Sequence, residues 1–253
     1  MSQILIDKAN RLRDSGKTKE AIKILTTLLK SRNYQVAINA TIALGICFSN
    51  EGDYKKAIEL YKKAIALCEK NGWLERLGSI YRDMAIASKS NGDFDEAEEY
   101  FRKSIELMKK HSDEGQGLNA SIGITYSKMG SFYLEKKDMK KAEKSFKTGQ
   151  RMLKKGNHAY WRLMNDIDYA GFLFAKKEFT KAKKILEKAI PEAIAQEKEY
   201  FLVKALTLLG NIEKALKNLE KAEMFYSMAR ITIEKVFDSE KVKKIFLKKL
   251  KGN

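Results

Sequence analysis

The chain has 253 residues, 44% hydrophobic and 33% charged, with a formal net charge of +17. No apolar run approaches the ~20 residues of a membrane span, and "MSQILIDKANRLRDSG" holds no apolar leader, so a soluble, cytoplasmic protein is expected. A single proline leaves long helices uninterrupted, and no Cys/His spacing suits a metal.

Residues 2–15 and 17–30 read as two helices on either side of Gly16. The next pair spans 33–50 and 53–71, around Gly52-Asp53. Here Gly turns the chain and Asp caps the next helix. In the second helix Ala57, Ile58, Tyr61, Ala64, Ile65 and Cys68 form one apolar face, widened by Leu60 and Leu67. Lys55, Lys56, Glu59, Lys62 and Lys63 take the solvated face. Further pairs follow at 74–91 and 93–111, 115–135 and 138–155, 157–176 and 178–196, and 198–216 and 218–237.

These pairs are copies of one unit. The turn residues are Gly16, Gly52, Gly92, Lys137, Lys177 and Lys217, at intervals of 36, 40, 45, 40 and 40. Seven residues before each turn stands a small residue: Ala9, Gly45, Ala85, Gly130, Ala170, Gly210. Five after each stands Ala21, Ala57, Ala97, Ala142, Ala182 or Ala222. Nine after stands a bulky residue: Leu25, Tyr61, Phe101, Phe146, Leu186, Tyr226. Small residues at matched points let two antiparallel helices approach closely, and the bulky residue fills the space toward the next copy. Six such hairpins stack into a solenoid.

The pattern resembles the tetratricopeptide repeat family over nearly the whole chain. The copies run about 2–32, 33–72, 73–112, 115–156, 157–197 and 198–237 within one repeat domain. The resemblance implies an all-α, right-handed superhelical solenoid of six helical hairpins. Two features depart from the family pattern. The intervals exceed its usual 34 residues, and no copy has the proline that commonly closes the second helix. Helices about one turn longer than average account for both. Such repeats are similar to those of kinesin light chains and of bacterial peptide-sensing regulators. The DNA-binding helix-turn-helix of those regulators is not expected, because repeats begin at the first residues.

Four local expectations follow. Gly115 and Gly117, in the joint 109–119, mark the most flexible point. Pro191 should kink the fifth second helix or end it early. Residues 239–250 carry Val242, Ile245, Phe246 and Leu250 on one face and should cap the open end of the solenoid. Cys47 and Cys68 read as buried thiols, and Trp73 and Trp161 as packing residues between repeats.

Nothing points to catalysis or to a cofactor. His111 and His158 sit near helix junctions without a paired nucleophile, and no GxSxG, P-loop or HExxH occurs. The resemblance instead implies a concave groove, lined by first helices, that holds a peptide or partner segment. Its facing places lie ten, six and three residues before each turn. They are Ile6, Asn10, Arg13; Ile42, Ile46, Ser49; Arg82, Ile86, Lys89; Ser127, Ser131, Leu134; Ile167, Gly171, Phe174; and Thr207, Asn211, Lys214. Cations beside aliphatic side chains suit a protein segment with apolar anchors and an acidic residue. The chaperone-binding clamp of the family is mostly absent. At its places stand Ile6, Asn10, Ile46, Arg82 and Ile86, of which only Asn10 matches and Arg82 substitutes in part.

The charge is uneven. Residues 1–126 carry 20 Lys+Arg against 17 Asp+Glu, while 127–253 carry 30 against 16. A solvated, lysine-rich surface of the kind found in heat-adapted proteins accounts for this. The alternative is a basic solenoid that associates with nucleic acid or another polyanion through its C-terminal convex face. Aromatic interleaving for base stacking is missing, which disfavours nucleic acid.

Overall fold

The structure is a computed structural model. It describes residues 2–14, 17–111, 116–154, 158–196 and 198–236, with Lys243, Lys244 and Leu247. Among the described residues the chain forms twelve α-helices, and no strand occurs. They are α1 (Ser2–Asp14), α2 (Thr18–Leu28), α3 (Tyr34–Asn50), α4 (Tyr54–Lys70), α5 (Leu77–Asn91), α6 (Phe94–His111), α7 (Gln116–Glu135), α8 (Met139–Lys154), α9 (Ala159–Ala175), α10 (Phe179–Ala195), α11 (Glu199–Ala215) and α12 (Leu219–Val236). A 3-10 turn, Leu74–Arg76, leads into α5. This is an all-α helical-repeat solenoid. Two compact units divide within α7, Met1–Thr125 and Tyr126–Asn253.

The helices begin and end where local chemistry satisfies their free backbone groups. The Asn33 carboxamide accepts from the amides of Gln35 and Val36 at 2.9 and 3.2 Å. Asp53 accepts from Lys56 at 3.2 Å, and Asp138 from Lys141 at 2.9 Å. Among the described residues five hairpin turns pass through a left-handed residue: Gly52 (φ 87°), Gly92 (95°), Lys137 (60°), Lys177 (61°) and Lys217 (64°).

Close approach of the paired helices rests on the small residues. Ala9, Ala85 and Ala170 are fully buried, as are Ala21, Ala57, Ala97, Ala142 and Ala182. The three glycines of the same row lie directly under rings. A Cβ on Gly45 would stand 2.5 Å from the Tyr61 ring, on Gly130 2.7 Å from Phe146, and on Gly210 2.4 Å from Tyr226. The bulky residue therefore packs across its own hairpin. It also reaches the next copy: Phe146 of α8 lies 5.9 Å from both Tyr169 and Phe172 of α9, between ring centroids. Burying a ring such as Tyr61, Phe101 or Phe146 contributes ~1.5–3 kcal/mol each.

Trp73 packs edge-on to Tyr34 at 6.3 Å, joining neighbouring copies, and Trp161 edge-on to Tyr160 at 4.7 Å. Cys47 and Cys68 are buried thiols and are not joined in a disulfide. Burial pushes the Cys68 thiol up to about 11, with Arg76 opposing.

Pro191 does not end its helix early, because α10 runs on to Ala195. Pro191 and Glu187 both face solvent, so water can satisfy the carbonyl that the missing proline amide leaves unbonded. The expected flexible joint falls partly at 112–115, outside the described residues, and Gly117 already lies in the first turn of α7. Most of the expected capping helix also lies outside them. Lys243, Lys244 and Leu247 are helical. Leu247 packs against the cluster of Val203, Leu206, Ala222, Tyr226, Ala229 and Ile233, and Lys243 pairs with Glu234 at 3.0 Å.

Candidate functional site

The row ten residues before the turn is mostly core. Ile42 (5% exposed) and Ile167 (1%), expected on the peptide-facing wall, are packed inside, as are Ile6 and Ser127. Ile42 belongs to the cluster around Tyr61, Leu77, Ile80 and Met84. An Ile at this row faces both its own second helix and the neighbouring copy, which leaves it no free face. The row six residues before the turn behaves differently. Asn10, Ile46, Ile86, Ser131, Gly171 and Asn211 are all half-buried. So are Arg13, Ser49, Lys89, Leu134 and Phe174 three residues before it, while Lys214 is exposed.

In the N-terminal unit these rows bring charged and apolar groups together. Arg13 donates to the Asn10 carboxamide at 2.9 Å, and Arg82 pairs with Asp83 at 3.2 Å. Burial holds the Tyr61 phenol far above its ordinary range. Asp83 adds to that push, and Arg13 and Arg82 oppose it. Residues of α1, α4 and α5 thus share one electrostatic environment. Arg76 donates to Asn39 of α3 at 3.2 Å, linking neighbouring first helices. Burial lowers its guanidinium pKa, with Asp83 opposing.

In the C-terminal unit several expected groove residues serve the fold. Tyr226 donates to the Asn211 carboxamide at 2.8 Å. The Ser131 hydroxyl reaches the Ser127 carbonyl at 3.5 Å, and Phe174 packs on Phe179 at 5.7 Å. Lys183 of α10 donates to the buried Glu213 carboxylate at 2.6 Å.

Neighbouring first helices also meet through rows outside the expected groove. Asp168, nine residues before its turn, pairs with Lys204, thirteen before the next. Lys128 and Met164 occupy the same two rows and approach within 3.4 Å. Of these two pairs only Asp168 and Lys204 set acid against base, so the sequence held a charge signal for that one alone. It becomes visible only once copies are aligned in pairs.

Among the described residues no three His, Cys, Asp or Glu side chains gather as a metal site would require. No helix among them is long and apolar enough to cross a membrane.

Tetratricopeptide repeat models match residues 36–110 and 124–152. Within those residues the chain is built of tetratricopeptide repeats. None of the curated proteins compared with it matches. Solved structures do resemble it. BtubC from P. vanneervenii is 16% identical over 87% of this chain and 89% of its own, with a TM-score of 0.63. RapI in its apo form is 12% identical over 92% and 84%, with a TM-score of 0.67. A signal-transduction ATPase with a tetratricopeptide repeat sensor, from Pyrococcus horikoshii, is 21% identical over 98% of this chain, with a TM-score of 0.67. The chain spans only 39% of that ATPase. At these identities the likeness concerns the fold.

Proposed function

We propose that this tetratricopeptide repeat chain is a non-catalytic protein-interaction adaptor, and that its N-terminal unit holds a partner segment along α1, α3 and α5. One observation carries this reading. The row of Asn10, Ile46 and Ile86 stays half-exposed at the place where the row beside it, Ile6 and Ile42, is buried. Aliphatic side chains kept at a surface beside Arg13, Arg82 and Lys89 suit a segment with apolar anchors and an acidic residue. The aliphatic contacts supply most of the affinity, and the cations supply specificity and on-rate. The Pyrococcus horikoshii ATPase has a tetratricopeptide repeat sensor, which is consistent with such a role for a repeat array.

The test is selection of peptides from a displayed library on the full chain, followed by binding to variants. Ile46→Asp with Ile86→Asp should abolish binding of the selected peptides while the melt stays cooperative. Reversing Lys184 and Lys188, exposed on α10, should leave it intact. Loss of binding on the lysine reversal alone would replace this reading with the polyanion one. A steep salt dependence in a nucleic-acid gel shift would then be expected.

A further inference from the structure

The sixth copy departs from the other five on the side of its second helix that faces away from the core. Seven, eleven and fourteen residues after the turn, the earlier copies carry Lys23, Thr27, Lys30; Glu59, Lys63, Ala66; Glu99, Lys103, Glu106; Lys144, Thr148, Arg151; and Lys184, Lys188, Pro191. None of these places holds a large aliphatic residue. In α12 they hold Met224, Met228 and Ile231, which are 50%, 45% and 65% exposed. Spacings of four and three put the three on one helical face. The opposite face, Ala222, Tyr226, Ala229 and Ile233, is the one that packs into the repeat. Single exposed apolar residues are ordinary, but three large ones in line, where none of five copies has any, form a patch. Exposed Lys221 and Lys235 extend the same line at its two ends.

We infer that the outward face of α12 is a second docking surface, and that its occupant is an amphipathic helix of another protein with acidic residues flanking its apolar face. Charge decides between occupants. A second copy of this chain is a poor fit. Parallel pairing sets Lys221 and Lys235 each against its own counterpart, and antiparallel pairing about Met228 sets Lys221 against Lys235. The chain's own residues 237–253 are equally poor, with six lysines against Asp238 and Glu240. Leu247 of that segment already packs on the other face. A helix with anchors at i, i+4 and i+7 and acidic ends meets both the stripe and its lysines. Methionine suits such a contact because its flexible thioether adapts to the partner's shape. This surface is independent of the first-helix strip.

The probe is a labelled synthetic helix of roughly 14 residues, with leucines at i, i+4 and i+7 and glutamates at both ends. Fluorescence anisotropy against the full chain should saturate. Met224→Glu, Met228→Lys and Ile231→Glu together copy the stripe of the third copy. They should raise Kd at least about tenfold, as truncating a central anchor cluster does. Lys221→Glu with Lys235→Glu should raise it about fivefold, and a lysine-ended version of the peptide should bind at least about tenfold more weakly. Ile46→Asp with Ile86→Asp should leave the Kd unchanged. Absence of saturation, or equal binding by the lysine-ended peptide, overturns the assignment. So does unchanged binding after the stripe is replaced. Sedimentation equilibrium showing a dimer lost in the triple variant would assign the face to self-association instead. Stripe-dependent cosedimentation with phosphatidylserine vesicles would assign it to a lipid surface.

Discussion

The two units build one hairpin with different turns. In the N-terminal unit the left-handed residue is Gly52 or Gly92, each followed by an aspartate. In the C-terminal unit it is Lys137, Lys177 or Lys217. The bonding does not change. The residue after the turn donates its amide to the carbonyl five residues back, at 2.9 Å, in Asp53 to Phe48, Asp93 to Ser88, Asp138 to Tyr133, Glu178 to Leu173 and Asn218 to Glu213. The hairpin therefore dictates the geometry and the residue tolerates it. A lysine there accepts strain of ~1–2 kcal/mol and places a cation at a helix C-terminus, where the macrodipole favours it.

Side chains also tie successive helices in both units. In the N-terminal unit Arg76 donates to Asn39 at 3.2 Å, and the Ser104 hydroxyl to the Gly78 carbonyl at 2.7 Å. In the C-terminal unit the Ser127 hydroxyl donates to the Asn165 carboxamide at 2.6 Å, and carboxylates take part as well. Lys176 pairs with Glu143 at 3.2 Å and Glu178 at 2.8 Å, Arg162 with Glu192 at 3.3 Å, Lys183 with Glu213, and Lys204 with Asp168. Each pair joins one cation to one carboxylate, so the net positive excess of that half is unchanged by them.

The largest effect should fall on what the units share. Ala57→Leu and Ala142→Leu each overpack a helix crossing and should cost ~1–3 kcal/mol, while Lys141→Leu beside the second should be close to neutral. Thermal melts giving the reverse order would show that the repeat register is wrong.

The ring-over-glycine seam comes next. Gly130→Ala should cost ~1–2 kcal/mol, the overpacking term less the gain in helix propensity. Adding Phe146→Leu should recover part of that loss relative to Phe146→Leu alone, because Ala9 with Leu25 and Ala170 with Leu186 already form that combination. A double-mutant cycle with no coupling would refute the seam.

Acid should separate the units. In the C-terminal unit Lys147 and Lys176 hold the Glu143 carboxyl below the usual range, and Lys183 with Asn218 hold Glu213 below it. Lys176 and Lys181 bring Glu178 down to about 2. A carboxylate depressed in the folded state stabilises fully above its unfolded value, near 4.3. That contribution fades as pH falls toward 2. Asp166, which burial pushes up, works in the opposite direction. Hydrogen exchange, corrected for intrinsic rate, should show protection in 126–236 falling more than in 1–111 between pH 7 and pH 3. Equal loss would remove the distinction.

The smallest effect concerns the turns. Lys137→Gly, Lys177→Gly and Lys217→Gly should each stabilise by up to ~1 kcal/mol, as relief of the left-handed strain exceeds the entropic cost of glycine. Gly92→Lys should destabilise by a similar amount. Melts of the four variants would test whether the turn geometry is shared.

Much of the architecture was legible in sequence because it rests on local periodicity. The spacing of Gly52, Ala57 and Tyr61, repeated six times, fixes helices, turns and the crossing points of each hairpin. The row of Asn10, Ile46 and Ile86 is singled out only through the family resemblance, and these side chains are half-buried. What the spacing left undecided needed contacts between copies. Ile42 and Ile167 occupy places that one helix alone would leave open, and Ile42 is buried by its own second helix and the neighbouring copy together. Lys183 looks solvated until Glu213, thirty residues later, is folded against it. The continuation of α10 past Pro191 depended on which side of that helix faces water. Periodicity along a chain reports one helix at a time. The faces on which two copies meet, and so the surface left for a partner, are set by packing between residues distant in sequence.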